Sequence, residues 1–203
     1  MALLMHKNKT WLIGLTGPAA AGKDEVAKSL KSLGVYIINV DKLAHQLYRP
    51  RTALWRKLVL TFGQAIIGEG DKINRQKLGQ IVFADKRKLK LLNKLVHPQL
   101  KAAVSERIKR ASHKRVVVVN AAILNELGLV KKVDMVWVVL APQRHRLRRL
   151  RKKGLTLLQA NNIINSQVRQ SQFSRQADII IRNSGSLLVL KEQSRKLLKN
   201  MLA

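Results

Sequence analysis

Apolar positions along this chain follow two patterns that take turns. Short, nearly unbroken runs recur at Trp11–Thr16, Val35–Asn39, Val116–Val119, Met135–Leu140 and Ile179–Ile181, each the length of a strand buried on both faces. Between them, apolar residues return every third or fourth position, the period of a helix with one buried stripe. Val26, Leu30 and Leu33 make the first stripe, with Gly34 placed to end it. Leu43 and Leu47 predict a helix up to Pro50, and Leu54, Leu58 and Phe62 another that Gly63 stops. Residues 73–111 read as almost wholly helical, with Leu78, Ile81, Val82, Leu91, Leu92 and Val96 as apolar faces and Pro98 starting a new helix after His97. Pro142 opens a very basic helix whose inner edge is Leu147 and Leu150, and Ser186 caps a terminal helix carrying Leu190, Leu197 and Met201. Strands separated by helices predict an α/β chain, a parallel sheet covered on both faces, with ligands beyond the carboxyl ends of the strands.

The first strand runs directly into Gly17-Pro-Ala-Ala-Ala-Gly-Lys-Asp24, a G-x-x-x-x-G-K phosphate loop between strand and helix. Its glycines let the backbone curl until successive N–H groups point inward at phosphate oxygens. The helix that follows adds its positive N-terminal end, and Lys23 reaches the outer phosphates. The position after Lys23 carries Asp24 where the motif has Ser or Thr, the Mg²⁺ ligand. A carboxylate is a good hard-cation ligand but repels bare phosphates, so nucleotide affinity is expected to depend strongly on the metal. Its alternative role, shared with Glu25, is an acid complementing the helix dipole.

Charge changes the picture of partners more than of fold. Forty Lys+Arg against eleven Asp+Glu leave a net charge of +29, a field that attracts polyanions of every kind, nucleotides and nucleic acid alike. With 4% aromatic residues, stacking platforms for single strands are scarce, so nucleic-acid binding is expected to be non-specific and salt-sensitive. There is no cysteine, which excludes disulfides and thiolate zinc sites. The longest apolar run, Met135 to Ala141, is too short to span a bilayer, and the first residues lack the pattern of a secretory signal. The expectation is a cytoplasmic protein of one 203-residue domain.

Several stretches, in order and spacing, resemble the dephospho-coenzyme A kinase family: Ile13-Gly-Leu-Thr-Gly17 with Gly22-Lys23, Val40-Asp-Lys-Leu-Ala-His45, Ile73-Asn-Arg-Gln-Lys-Leu-Gly79, Ile81-Val-Phe-Ala-Asp85, Leu95-Val-His-Pro98, Glu126 with Gly128-Leu129, Val136-Trp-Val-Val139, and Ala177-Asp178 followed by Asn183-Ser-Gly-Ser186. The resemblance implies a three-layer P-loop kinase fold on a five-stranded parallel sheet, a helical acceptor-binding region at about 50–110 and a lid at about 143–175. It implies ATP and Mg²⁺ as cofactors and the ribose 3′-hydroxyl of dephospho-coenzyme A as phosphoryl acceptor. Gly17, Ala20, Ala21, Gly22, Lys23, Asp24 and Glu25 would form the nucleotide cradle, with Asn183 near the adenine. Asp41 would orient the acceptor hydroxyl and take its proton; its alternative is a helix N-cap. Arg149 and Lys153 fall on basic lid positions, whereas Arg144, Arg148 and Arg151 match none and read as a solvated face. His97 and Glu126 fall on the acceptor side, His97 alternatively joining two helices.

The chain also departs from the family pattern. An Asp-x-Asp pair becomes Asn39 and Asp41, and Asp-x-Pro-Leu-Leu-Phe-Glu becomes Asn120-Ala-Ala-Ile-Leu-Asn-Glu126. Asn39 and Asn120 lose carboxylates while Asp24 gains one, which suggests that Asp24 replaces Asn39 in holding Mg²⁺. Two alternatives stand beside the leading one: another nucleotide-like acceptor, or a catalytically decayed basic relative that binds nucleic acid.

Overall fold

A computed structural model describes residues 9–166 and 170–203. In chain order the elements are β1 (Trp11–Thr16), α1 (Lys23–Lys31), β2 (Tyr36–Asn39), α2 (Val40–Leu47), α3 (Ala53–Phe62), α4 (Arg75–Phe83), α5 (Lys86–Arg110), β3 (Val116–Asn120), β4 (Met135–Leu140), α6 (Gln143–Lys152), α7 (Leu157–Asn165), α8 (Gln170–Arg175), β5 (Ile179–Arg182) and α9 (Leu187–Leu202). They form two compact units, one from the chain up to Ile38 and from Arg110 onward, the other Asn39–Lys109.

The first unit is built on a five-stranded sheet of order β2-β3-β1-β4-β5, with parallel pairing of β1 to β3, β1 to β4 and β4 to β5. All five residues of β3 are buried, as a β-branched strand covered on both faces must be. Ile13, Leu15, Val118, Trp137 and Val139 pack with Val26 and Leu30 of α1 and Leu190 and Leu198 of α9. The chain leaves β1 through α1 toward one edge of the sheet and leaves β4 through α6 toward the other. Their carboxyl ends therefore flank the crevice where such folds take ligands. A smaller cluster, Leu150 of α6 with Ala160 and Ile164 of α7, packs against Ala20 of the β1–α1 loop.

The second unit has its own core of Leu54, Leu58, Ile66, Ile73, Leu78 and Val82, the stripe expected for α3 continued into α4. Thr52 caps α3 through the Trp55 N–H, and Asn74 caps α4 through the Gln76 and Lys77 N–H groups.

Three local expectations are corrected. Helix α2 starts at Val40, directly after β2, because the Asn39 side chain accepts the Lys42 N–H at 2.9 Å. Asp41 is thus a first-turn residue and the cap is Asn39. Pro98 starts no helix: it lies inside the 25-residue α5. Its missing N–H and ring disfavour that position, but packed Leu92, Leu95 and Val96 before it and buried Leu100 and Val104 after it hold both halves. His97 is accordingly a mid-helix residue. Leu33 lies beyond the last turn of α1 and is 44% exposed.

Candidate active site

The loop after β1 bends where only particular residues can follow. Gly17 and Gly22 take φ of 141° and 110°, conformations that side chains disfavour. A Cβ on Gly17 would overlap the Val139 carbonyl of β4, and one on Gly22 would overlap the Asn183 amide. Ala20 is also left-handed, with φ of 57°, a strained state that persists only where its surroundings enforce it.

Those surroundings are a set of donors behind the loop. Arg146 Nε donates to the Ala19 carbonyl at 2.8 Å, and Arg149 Nη1 to the Ala20 and Ala21 carbonyls at 3.0 and 3.1 Å. Arg149 Nη2 donates to Asn183 Oδ1 at 3.0 Å, while Asn183 Nδ2 donates to the Ala21 carbonyl at 2.7 Å. In a planar trans peptide the N–H points opposite to the C=O. Pulling the Ala19 and Ala21 carbonyls backward therefore turns the Ala20 and Gly22 N–H groups to the concave side, while the Ala21 N–H closes the turn on the Pro18 carbonyl at 3.2 Å. Lys23 Nζ bends across the mouth, donating to the Gly17 and Pro18 carbonyls at 2.8 and 3.1 Å. Burial pulls both guanidinium pKa values down from their ordinary value, the desolvation cost of holding two cations under a loop. Arginine stays charged despite it, so the brace adds positive field where phosphates would sit.

At the start of α1, Asp24 Oδ1 accepts a 2.9 Å hydrogen bond from Asn120 Nδ2. Asp24 is exposed, whereas Asn120, the last residue of β3, is 4% exposed. Glu25 pairs with Lys28 at 2.7 Å. Beyond the end of β1, Thr16, Ala122, Asn125, Glu126, Gln172 and Arg175 line most of a cavity of about 290 Å³. Exposed Lys153 caps the C-terminus of α6, and Arg144, Arg148 and Arg151 face solvent.

In the second unit Asp41 is exposed in the first turn of α2, with His45 one turn further on. His45 Nε2 lies 2.6 Å from Arg75 Nη1. Burial, then the Arg75 charge, lower the imidazole pKa from 6.5 against the opposing pull of Asp41. His97 is half-buried in α5.

The structure brings Gly17, Ala20, Ala21, Gly22, Lys23, Arg149 and Asn183 into one hydrogen-bonded assembly. Sequence reasoning missed Arg146, Arg175 and the Asp24–Asn120 pair. Arg146 stands four residues before Leu150, on the inner stripe of α6, so helical period alone could have marked it as turned inward. The Asp24–Asn120 contact carried no such signal, because the two residues are distant in sequence, and nothing local to Arg175 marks it as lining a cavity.

A family model for dephospho-CoA kinase matches residues 11–188. The chain belongs to that family. The dephospho-CoA kinase of Carboxydothermus hydrogenoformans is 35% identical over 185 residues, 90% of each chain. Among solved structures, a Thermus thermophilus protein aligns with a TM-score of 0.82 at 27% identity, covering 96% of this chain and 99% of its own. The dephospho-CoA kinase of Campylobacter jejuni aligns at 0.71 and 25%, covering 95% and 97%. The fold is the P-loop kinase fold, and the chain is a kinase of this family.

Among the described residues of the kinase, no three His, Cys, Asp or Glu side chains group as a metal cage. Mg²⁺ binds through one or two carboxylates plus substrate phosphates, and the exposed carboxylate of Asp24 beside the loop fits such a role. No helix among the described residues is long and apolar enough to cross a membrane.

Proposed function

We propose that the kinase transfers the γ-phosphoryl group of ATP to the ribose 3′-hydroxyl of dephospho-coenzyme A, giving coenzyme A and ADP, in the cytoplasm. The observation that carries this reading is the braced phosphate loop, Gly17 to Lys23, in a chain that matches the family over most of its length. Phosphoryl transfer asks a protein chiefly for positioning and charge neutralisation. The Ala20 and Gly22 N–H groups and Lys23 hold the β- and γ-phosphates, and Lys23 exchanges its two loop carbonyls for them. Glu25 stays in its ion pair with Lys28 and supports the helix end. Arg149, tied to the loop and to Asn183, stabilises charge on the transferring group through its field from behind the loop; Lys153 adds a second cation from the end of α6.

The acceptor oxygen attacks the γ-phosphorus as the bond to the β,γ-bridging oxygen breaks. Asp41 takes the hydroxyl proton, a role suited to an exposed carboxylate two residues after a parallel strand. His97 and Glu126 bind the acceptor. Asp24 would hold Mg²⁺, and the cation would supply neutralisation of the charge that develops on the phosphates.

The test is ADP release by purified protein with and without dephospho-coenzyme A. ADP release is expected to require the acceptor and to fall roughly 100-fold or more in Lys23→Ala, the scale of losing one preorganised electrostatic contact to the transition state. Asp41→Asn is expected to lose a comparable factor from the removed base. Turnover that survives Asp41→Asn undiminished removes the base assignment; release only with another alcohol reassigns the acceptor.

A further inference from the structure

Asp24 and Asn120 stand 96 positions apart, yet they share a direct side-chain hydrogen bond, and each departs from expectation in the opposite sense. The helix position has gained a carboxylate where phosphate loops carry a hydroxyl; the strand position is an amide where the resemblance expects a carboxylate. We propose that the two act as one unit, in which Asn120 is a positioning residue that aims the Asp24 carboxylate at the cation of the nucleotide complex. This deepens the assignment of Asp24 made above and rests on it.

The argument is geometric. Asn120 is buried at the end of the fully buried strand β3, so its amide is fixed by the sheet. Asp24 is on the surface of the first turn of α1, and an exposed aspartate otherwise samples several rotamers. The amide N–H at 2.9 Å pins Oδ1 and leaves the carboxylate's remaining lone pairs for a cation. A neutral donor can do this without competing for the metal or cancelling the charge. A carboxylate at 120 facing Asp24 would set two like charges within hydrogen-bonding distance and drive one to take up a proton. The pair therefore holds one carboxylate and one neutral group, with the charge moved from strand to helix. On the helix it stands next to Lys23 and close to the bound phosphates, so it favours nucleotide with cation and disfavours nucleotide without it.

The measurement is ATP binding by calorimetry, without acceptor, in excess Mg²⁺ and in chelator; the readout is the ratio of the two affinities. In the wild type this ratio is expected to be large, and Asp24→Ser should shrink it roughly tenfold or more, on the scale of one short-range charge interaction in a partly solvated site. Asn120→Ala should shrink it by about threefold or more, since a hydrogen bond to a charged group is worth more than a neutral one. In the Asp24→Ser background, Asn120→Ala should have no further effect. Asp24→Ser with Asn120→Asp should recover most of the ratio, because it returns the carboxylate to the strand. Both affinities belong to the same protein, so loss of folded fraction cancels from the ratio. An unchanged ratio in Asp24→Ser or in Asn120→Ala overturns the proposal, as does an Asn120→Ala effect of equal size in both backgrounds or a swap that stays at the Asp24→Ser level. A wild type that binds no ATP in either condition overturns the nucleotide site itself, a separate and recognisable outcome.

Discussion

Asn183 shows how much one side chain can hold in place. Its amide donates to the Ala21 carbonyl and accepts from Arg149, and it fills the space that the bare Cα of Gly22 leaves. Both ends of the amide are engaged at 5% exposure, so truncation leaves the Ala21 carbonyl to Arg149 alone and takes an acceptor from the Arg149 fork. Asn183→Ala is expected to cost about 1–3 kcal/mol of stability and to weaken ATP binding, because Ala21 and Gly22 are then free to rotate. Thermal unfolding and ATP titration on the same variant test it. Unchanged ATP affinity alongside lost stability would make Asn183 a structural residue only. The Asn-Ser-Gly-Ser signature was visible in the sequence, but the partner of Asn183 was not. Chain pattern marks a residue as unusual; only folding brings positions 21, 149 and 183 together.

At the level of elements, α2 and α5 mark where pattern reading stops. The strands and the apolar stripes were legible because an unbroken apolar run and a period of 3.6 are local properties. The start of α2 was not, because Asn39 and Asp41 are both good capping types and the choice rests on the Asn39–Lys42 hydrogen bond. The continuity of α5 through Pro98 was hidden for a related reason, since tertiary packing there overrides the residue's preference. Asp24 was coupled by sequence to Asn39; in the structure it bonds Asn120, while Asn39 caps α2. Helix α2 also carries a pH dependence. With the His45 pKa lowered from 6.5 by burial and by Arg75, the unfolded chain binds more protons than the folded one below that value. Stability is therefore fully present above pH 6.5 and is lost as pH falls through the lower folded pKa. His45→Gln should flatten the loss of thermal stability between about pH 7 and 5 relative to wild type. Parallel profiles for the two proteins would show that His45 titrates equally in both states.

For the whole molecule, the charge imbalance outweighs any single ion pair. Eleven acidic residues can match at most eleven of forty basic ones, leaving 29 cationic side chains without an acidic counterpart (40 − 11). Mutual repulsion among them opposes the compact state, and it acts over about 10 Å at 0.1 M salt but about 30 Å at 0.01 M. Screening should then stabilise this protein. Raising NaCl from about 20 to 200 mM is expected to raise Tm by several degrees, because the Debye length falls below the spacing of neighbouring surface cations. If the same charge retains the protein on nucleic acid, that retention should weaken steeply over the same change, since released counterions drive such binding. The two trends share a cause but move in opposite directions, so both belong in one salt series. A Tm that stays flat while nucleic-acid retention collapses would show that the cations are spread widely enough to ignore one another while still reaching a polyanion. ATP binding at Lys23 and the Arg149 brace should resist salt better than either, because its donors are fixed at short range and partly shielded from solvent.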